Sequence, residues 1–220
     1  MIRFNDILEK VSDRLDEKDL AALRKAYVFS AKAHKGQIRR SGEPYLSHPL
    51  EVAGLLADMA MDRTTLVAGL LHDVLEDTEV TTAELREEFG KEVARLVEGV
   101  TKISRVQEAS PEIRRAETIR KIILAMTDDL RVIFIKLADR LHNLQTLAHL
   151  PPDQQKSIAA ETLEIYAPIA NRLGMGRIKA ELEDLAFRFV EPDEFFRIDA
   201  LVGPRRKTAE AELRKISRRL

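Results

Sequence analysis

Apolar residues recur at three- and four-residue intervals along most of the chain, the spacing that places them on one face of an α-helix. The 220 residues include only 9 glycines and 8 prolines, and no segment has a convincing strand pattern. After two helices within 4–35, the pattern predicts helices at 49–60, 64–77, 81–89, 91–103, 113–127, 130–147, 153–173 and 177–190. We therefore predict an all-α fold, a compact multi-helix bundle.

Short polar side chains indicate where several of these helices begin. Asp16 or Asp19 lies near the second start, and Thr64 and Thr81 are candidate N-caps of later helices, because their oxygens can accept from free N–H groups of the first turn. The segment 130–147 contains VIFIKLA, which could pass for a buried strand. It continues as DRLHNLQTL without a turn signal, so its length favours a helix.

Two segments interrupt the helical pattern. Residues 36–49 read GQIRRSGEPYLSHP, with two glycines, two prolines and two serines, a composition typical of an ordered loop. Polarity rises again at 107–112, which predicts a mobile loop there, and a lid over 104–116 is an open alternative. The last residues are strongly polar. We predict a main domain over 1–200 and a helical connector over 201–220.

The amino-acid composition limits the binding partners and metal ligands that this chain can have. The 36 Lys and Arg nearly balance the 37 Asp and Glu, so total charge predicts neither nucleic-acid nor membrane binding. The absence of cysteine excludes disulfides, thiolate nucleophiles and cysteine-ligated zinc, which leaves histidine and carboxylates as the strong metal ligands. The N-terminus lacks the apolar core of a signal peptide. We expect a soluble, cytoplasmic protein.

Candidate chemistry begins with His72 and Asp73 in LLHDVLED, where an apolar segment suddenly carries ionisable groups. Burying a charge is costly unless it is paired or metal-bound. On one continuous helix, His72 and Glu76 would share a face, as would Asp73 and Asp77. A metal site needs further ligands, and His48 in the SHP turn is one candidate.

The second candidate is Asp139 in KLADRLHN. Two imidazoles and two carboxylates suit Mn²⁺, Fe²⁺ or Zn²⁺, and we expect Mn²⁺.

Other interpretations of these residues stay open: HDVLED as a solvated helix end, Asp139 as the partner of Arg140 or a lysine, and the pair Arg39 and Arg40 as ordinary loop residues. Three histidines lack an acidic partner at ligand spacing and are expected to be surface or hydrogen-bonded residues: His34, His142 and His149.

The order H…HD…D resembles the HD metal-dependent phosphohydrolase superfamily. More narrowly, the motifs SGEPYLSHP, HDVLEDT, GVTK, VIFIKLADRLHN, TLEIYAPIANRLG and ELEDLAFRFV resemble the hydrolase domain of the bacterial Rel/SpoT bifunctional enzymes over about residues 20–200. The resemblance implies an HD-domain bundle with a metal site between helices. It also implies Mn²⁺-dependent hydrolysis of the 3′-pyrophosphate of ppGpp and pppGpp, which yields GDP or GTP and pyrophosphate.

The resemblance assigns roles by position in this sequence. It implies four metal ligands: His48, His72, Asp73 and Asp139. It implies a catalytic pair, Glu76 and Asp77, which could orient water or transfer its proton. It implies six substrate contacts: Arg39, Arg40, Ser41, Tyr45, Asn143 and Thr146. Because the ligands and the acidic pair are all present, we expect an active hydrolase.

The chain ends where bifunctional members continue into a synthetase domain. We expect a fragment whose partner in the full-length chain is that domain, and we expect no direct nucleic-acid or membrane contact. Two alternative functions are an HD phosphohydrolase acting on another nucleotide and a non-catalytic (p)ppGpp-sensing module. A helical interaction scaffold would leave unexplained why buried-pattern helices carry His72, Asp73 and Asp139.

Overall fold

A computed structural model of the protein describes residues 2–104 and 110–203. These residues form two compact units, one within Met1–Leu150 and one within Pro151–Leu220. The all-α prediction is confirmed, because the only β feature in the described ranges is a single bridge between Ile38 and Pro44. Across the same ranges, every helix is too short or too polar to cross a bilayer.

The first unit is built of helices, and its described residues form these: α1 (Phe4–Val11), α2 (Glu17–Ala33), α3 (Ser47–Asp58), α4 (Arg63–Leu71), α5 (Val74–Asp77), α6 (Thr82–Ser104), α7 (Pro111–Asp128) and α8 (Arg131–Gln145), with a 3₁₀ turn at Leu147–His149. Helix α4 packs against α2, α3 and α6, and α8 packs against α3, α6 and α7. Helices α4 and α8 are therefore central, and the core surrounds them.

The second unit contains α9 (Pro152–Glu161), a π-helical turn (Thr162–Tyr166), α10 (Ala167–Arg172) and α11 (Gly176–Val190), and residues 192–203 are also helical. Helix α11 packs against α9 and α10. The predicted helix 153–173 is thus divided into α9 and α10 by the π-helical turn at Thr162–Tyr166. The predicted domain over 1–200 stays a prediction. Residues 204–220 of the predicted connector, and 105–109 of the predicted loop, lie outside the described residues.

The helix starts follow local capping chemistry. Asp16 caps α2, because its carboxylate accepts from the N–H of Asp19 at 2.8 Å. Thr81 and Glu84 form a capping box at α6, in which each side chain accepts from the other's backbone N–H. The Thr64 prediction is wrong. Helix α4 begins earlier and is capped by Asp62, which accepts from the N–H of Thr65 at 2.7 Å.

The first unit has helix interruptions at Gly90 and at residues 72–73. Gly90 has φ 85° and ψ 168°, a conformation that is essentially restricted to glycine, so the predicted boundary between 81–89 and 91–103 is confirmed as a kink. The predicted continuous helix 64–77 is wrong, because α4 ends at Leu71 and α5 begins at Val74. Asp73 lies between them with φ −97° and ψ −7°, the bridge region, which many active-site residues adopt.

Candidate metal centre and active site

The four predicted metal ligands come from three places in the first unit. His48 lies in the first turn of α3, His72 and Asp73 form the junction between α4 and α5, and Asp139 lies in α8. Packing of α3 against both α4 and α8 brings them together. His48 and His72 are each 1% exposed and Asp139 is 4% exposed, so these polar groups meet inside the protein.

The donor atoms of these residues face one another. The Nε2 atom of His48 lies 3.2 Å from Nε2 of His72 and 3.2 Å from Oδ1 of Asp139. It lies 3.4 Å from Oδ2 of Asp73, whose Oδ1 is 3.1 Å from Nε2 of His72. Ligands bound at about 2.1 Å to one octahedral ion are about 3 Å from their neighbours. The donor atoms of His48, His72 and Asp139 are close enough together to hold a single ion.

Backbone hydrogen bonding prepares His72 for this role. Its Nδ1 lies 2.8 Å from the carbonyl oxygen of Gly69, so Nδ1 donates there and Nε2 faces the cluster, the usual arrangement of a metal-binding histidine. Burial lowers the pKa of His72, but the carboxylates of Asp73 and Asp139 outweigh it and raise that pKa to about 9. His72 and Asp73 are the two residues of the break between α4 and α5.

Asp139 is held by neighbours on its own helix. Its Oδ2 accepts from Nζ of Lys136 at 2.6 Å, and its Oδ1 accepts from Nδ2 of Asn143 at 2.5 Å. Burial raises the pKa of Asp139, but Lys136 and His48 lower it well below the usual range. Lys136 is itself buried and donates to the hydroxyl of Ser104 at 2.9 Å. Pairing with a lysine, one of the alternatives for Asp139, thus coexists with a place in the cluster.

The predicted catalytic carboxylates lie at the solvent edge of the cluster. Desolvation, followed by repulsion from Asp73 and Asp77, raises the pKa of Glu76, and the attraction of Lys136 offsets only part of this combined effect. Because α5 is a separate helix, Glu76 and Asp77 do not share a continuous helix with His72. The interpretation of 72–77 as one helix is corrected in this respect, although the carboxylates still reach the site.

Tyr45 connects Asp77 to the cluster. Its hydroxyl lies 2.8 Å from Oδ2 of Asp73 and also contacts the carboxylate of Asp77. Burial and these carboxylates raise the pKa of Tyr45, so it remains a phenol that can donate. The ring stacks on His34, with centroids 4.5 Å apart. His34 is buried and bonded to Gln37, which confirms it as a hydrogen-bonded histidine.

The other predicted substrate contacts divide into two groups. Arg39 reaches α8, where its NH2 donates to Oδ1 of Asn143 at 2.8 Å. The hydroxyl of Thr146 bonds to backbone carbonyls one turn earlier in the same region. Arg40 is exposed on the loop that carries Arg39, and the Ser41 hydroxyl beside it is buried without a partner among the described residues.

His142 is hydrogen-bonded, as one of the two expectations for it had it, but the sequence reasoning missed that it lies beside the cluster. It is 5% exposed and its Nδ1 lies 2.7 Å from Nδ1 of His48. Burial, His48 and Arg39 lower the pKa of His142 to about 3. The available signal was its position three residues after Asp139, which places both on one face of a helix. His149 is exposed, as expected.

These side chains define a class of protein, and the comparison with known families agrees. The HD domain family matches residues 26–176, a range that includes all four predicted ligands. The chain therefore belongs to the HD domain family. The helical fold and the His and Asp cluster between helices are consistent with this membership.

Individual relatives narrow the resemblance to Rel/SpoT proteins. The chain is 55% identical over 203 residues to a GTP pyrophosphokinase of Myxococcus xanthus, covering 91% of this chain and 27% of that protein. It is 46% identical over 216 residues to the bifunctional (p)ppGpp synthase/hydrolase SpoT of Escherichia coli (strain K12), covering 98% of this chain and 31% of that protein. The chain thus spans less than a third of these curated relatives.

A solved structure shows the same fold. It is that of a metazoan ortholog of SpoT, described as hydrolysing ppGpp and playing a role in starvation responses. The match has a TM-score of 0.59 at 25% identity, and covers 80% of this chain and 97% of that chain. The predicted resemblance to the Rel/SpoT family is confirmed by these similarities.

Proposed function

We propose that this chain is a ppGpp and pppGpp hydrolase that removes the 3′-pyrophosphate to give GDP or GTP and pyrophosphate, the reaction that degrades the stringent-response alarmone. The observation that carries the proposal is the buried cluster of His48, His72, Asp73 and Asp139 beside an intact acidic pair. The names of the similar proteins support this substrate.

The proposed ligands would hold one divalent ion through two imidazole nitrogens and two carboxylates. Mn²⁺ is our first choice, and Fe²⁺ or Zn²⁺ would suit the same donors. When bound, such an ion lowers the pKa of a coordinated water and offsets charge on phosphoryl oxygens. The fixed orientation of His72 by Gly69, and of Asp139 by Lys136, keeps the donors aimed at that point.

The acidic pair, Glu76 and Asp77, would orient the attacking water and accept its proton. Glu76 has a raised pKa and lies at the solvent edge, which suits a carboxylate that accepts a proton from water or passes one to the leaving group. Asp77 is tied through the Tyr45 hydroxyl to Asp73. We propose that Asp77 and Tyr45 keep the attacking water oriented, while Glu76 takes its proton.

The loop and α8 would bind the nucleotide. Arg39 and Arg40 supply guanidinium groups suited to a phosphate-rich ligand, and Ser41 lies next to them. Asn143 in the last turn of α8 and Thr146 directly after that helix would contact ribose or base. Because Arg39 already bonds to Asn143, substrate would have to share or replace that hydrogen bond.

The same proposal extends to the full-length protein. The matched relatives are more than three times as long as the aligned region, and one is named as both synthase and hydrolase. We propose a hydrolase domain over 1–200, a connector over 201–220, and a synthetase domain as the partner in a longer, cytoplasmic chain. Direct binding to nucleic acid or membrane is not part of the proposal.

The deciding experiment measures pyrophosphate release from ppGpp by the purified chain with Mn²⁺. It is run beside an Asp73→Ala variant, an EDTA-treated sample and a control variant, Asp153→Ala, which changes an exposed carboxylate of the second unit. The proposal requires release that needs both the metal and Asp73 and is unaffected in the control. Binding of ppGpp without turnover would indicate a sensor, and indifference to ppGpp would indicate another nucleotide.

A further inference from the structure

Three side chains in successive contact, Arg39, His142 and His48, connect the loop before α3 with the metal cluster. Arg39, in the loop before α3, lies with its NH1 3.1 Å from Nδ1 of His142 in α8. The same Nδ1 lies 2.7 Å from Nδ1 of His48 in α3. The two imidazole rings have centroids 4.9 Å apart. Both histidines are buried, so each ring nitrogen in these contacts depends on a protein partner.

The donors and acceptors in these contacts follow from the chemistry of the groups. A guanidinium has N–H donors and no acceptor, so Nδ1 of His142 must accept from Arg39. The same nitrogen therefore has no proton to give to His48. The Nδ1 of His48 must then be the donor in the 2.7 Å contact, because two unprotonated nitrogens would repel at that distance.

This assignment makes Nε2 the nitrogen of His48 that can bind an ion. When His48 is neutral, a proton on Nδ1 leaves the lone pair on Nε2. That Nε2 is the atom that lies 3.2 Å from Oδ1 of Asp139 and 3.4 Å from Oδ2 of Asp73. His72 reaches the same orientation through a carbonyl, whereas His48 depends on a second histidine.

We propose that His142 is a positioning residue that holds His48 with Nε2 free for a divalent ion, and that Arg39 keeps His142 in the accepting form. This inference rests on the proposed metal site. It gives Arg39 a second task besides substrate binding. Partners of metal-binding histidines typically change metal affinity by 10- to 100-fold when they are removed.

The test measures Mn²⁺ affinity without nucleotide, by electron paramagnetic resonance of free Mn²⁺ during titration. His142→Leu removes the acceptor with little change in bulk, and we expect it to weaken Mn²⁺ binding by about 10- to 100-fold. His142→Asn places an amide oxygen near the former Nδ1 and should recover most of the affinity. Arg39→Met should weaken Mn²⁺ binding in part, because it leaves the tautomer of His142 undetermined.

A second measurement reports on the metal-free protein. Nitrogen-15 NMR of the imidazoles should show Nδ1 of His48 protonated in the wild type and in His142→Asn, and only partly protonated in His142→Leu. Circular dichroism establishes that each variant is folded. If His142→Leu fails to fold, His142→Asn and Arg39→Met carry the comparison.

The outcomes separate this inference from the proposed function. If the wild type binds Mn²⁺, Asp73→Ala does not, and both His142→Leu and Arg39→Met bind normally, the positioning role is overturned and the metal site stands. If the wild type does not bind Mn²⁺, the proposed function fails, and the NMR tautomer of His48 still decides the hydrogen-bond assignment. A His48 without a proton on Nδ1 would overturn the inference in either case.

Discussion

The contact between Asp139 and Lys136 gives a prediction about stability that does not depend on catalysis. Both residues are buried, with 4% and 8% of their surfaces exposed, and Nζ lies 2.6 Å from Oδ2. Removing one partner of a buried ion pair costs roughly 3–5 kcal/mol, because the remaining charge stays in a poorly solvated place. Asp139→Asn leaves Lys136 with the Ser104 hydroxyl but takes away the nearest carboxylate.

We expect Asp139→Asn to lower the free energy of unfolding by about 3 kcal/mol, the lower end of that range, because the new amide can still accept from Asn143. The second half of the prediction concerns a double variant. Adding Lys136→Met removes the buried cation and keeps the volume, so the double variant should be more stable than Asp139→Asn alone by at least about 1 kcal/mol.

The assay is equilibrium unfolding in urea followed by circular dichroism, with EDTA present so that metal binding to the native state does not contribute. The four proteins of the cycle are the wild type, both single variants and the double variant. A loss below about 1 kcal/mol for Asp139→Asn, or strict additivity of the two changes, would refute the view that Lys136 needs this carboxylate.

Three further predictions follow from the same structure. Asp62→Ala should lower the free energy of unfolding, measured in urea, by about 1 kcal/mol, because it removes the α4 cap. Asp62→Asn keeps a capping oxygen and should retain most of the stability. Equal losses in the two variants would argue against capping. Gly90→Ala should cost roughly 1–3 kcal/mol because of its positive φ, whereas Gly176→Ala, which has open space around it, should change stability little; similar costs for the two would contradict this reasoning. The pKa of His72, raised to about 9, predicts that stability of the metal-free protein is retained below the unfolded pKa of about 6.5 and declines as the pH rises through 9. Unfolding in EDTA across that range tests this, and a flat profile would count against it.

Much of this protein could be predicted from its sequence, because the relevant signals are local. Asp16 and Thr81 begin helices for the reason predicted, since a capping side chain acts within three residues of itself. Gly90 marks a kink because its backbone conformation excludes other residues. The ligand candidates stood out because ionisable groups within apolar segments are costly to bury.

Other features depended on the packing of distant helices. No local rule indicated that α4 would stop at Leu71, since the apolar pattern continues through the break. The same packing decided that Tyr45 would bond to Asp73, 28 residues away. It also placed His142 beside His48, 94 residues away in sequence.

The sequence by itself determined the all-α fold, the caps of α2 and α6 and the chemical types available for a metal site, because propensity, capping and burial cost act over a few residues. The tertiary structure alone decided which nitrogen of each histidine faces the cluster and which neighbours hold it there. Hydrogen-bond direction depends on the positions of both partners, and those of His48 and His142 are set by the packing of α3 against α8.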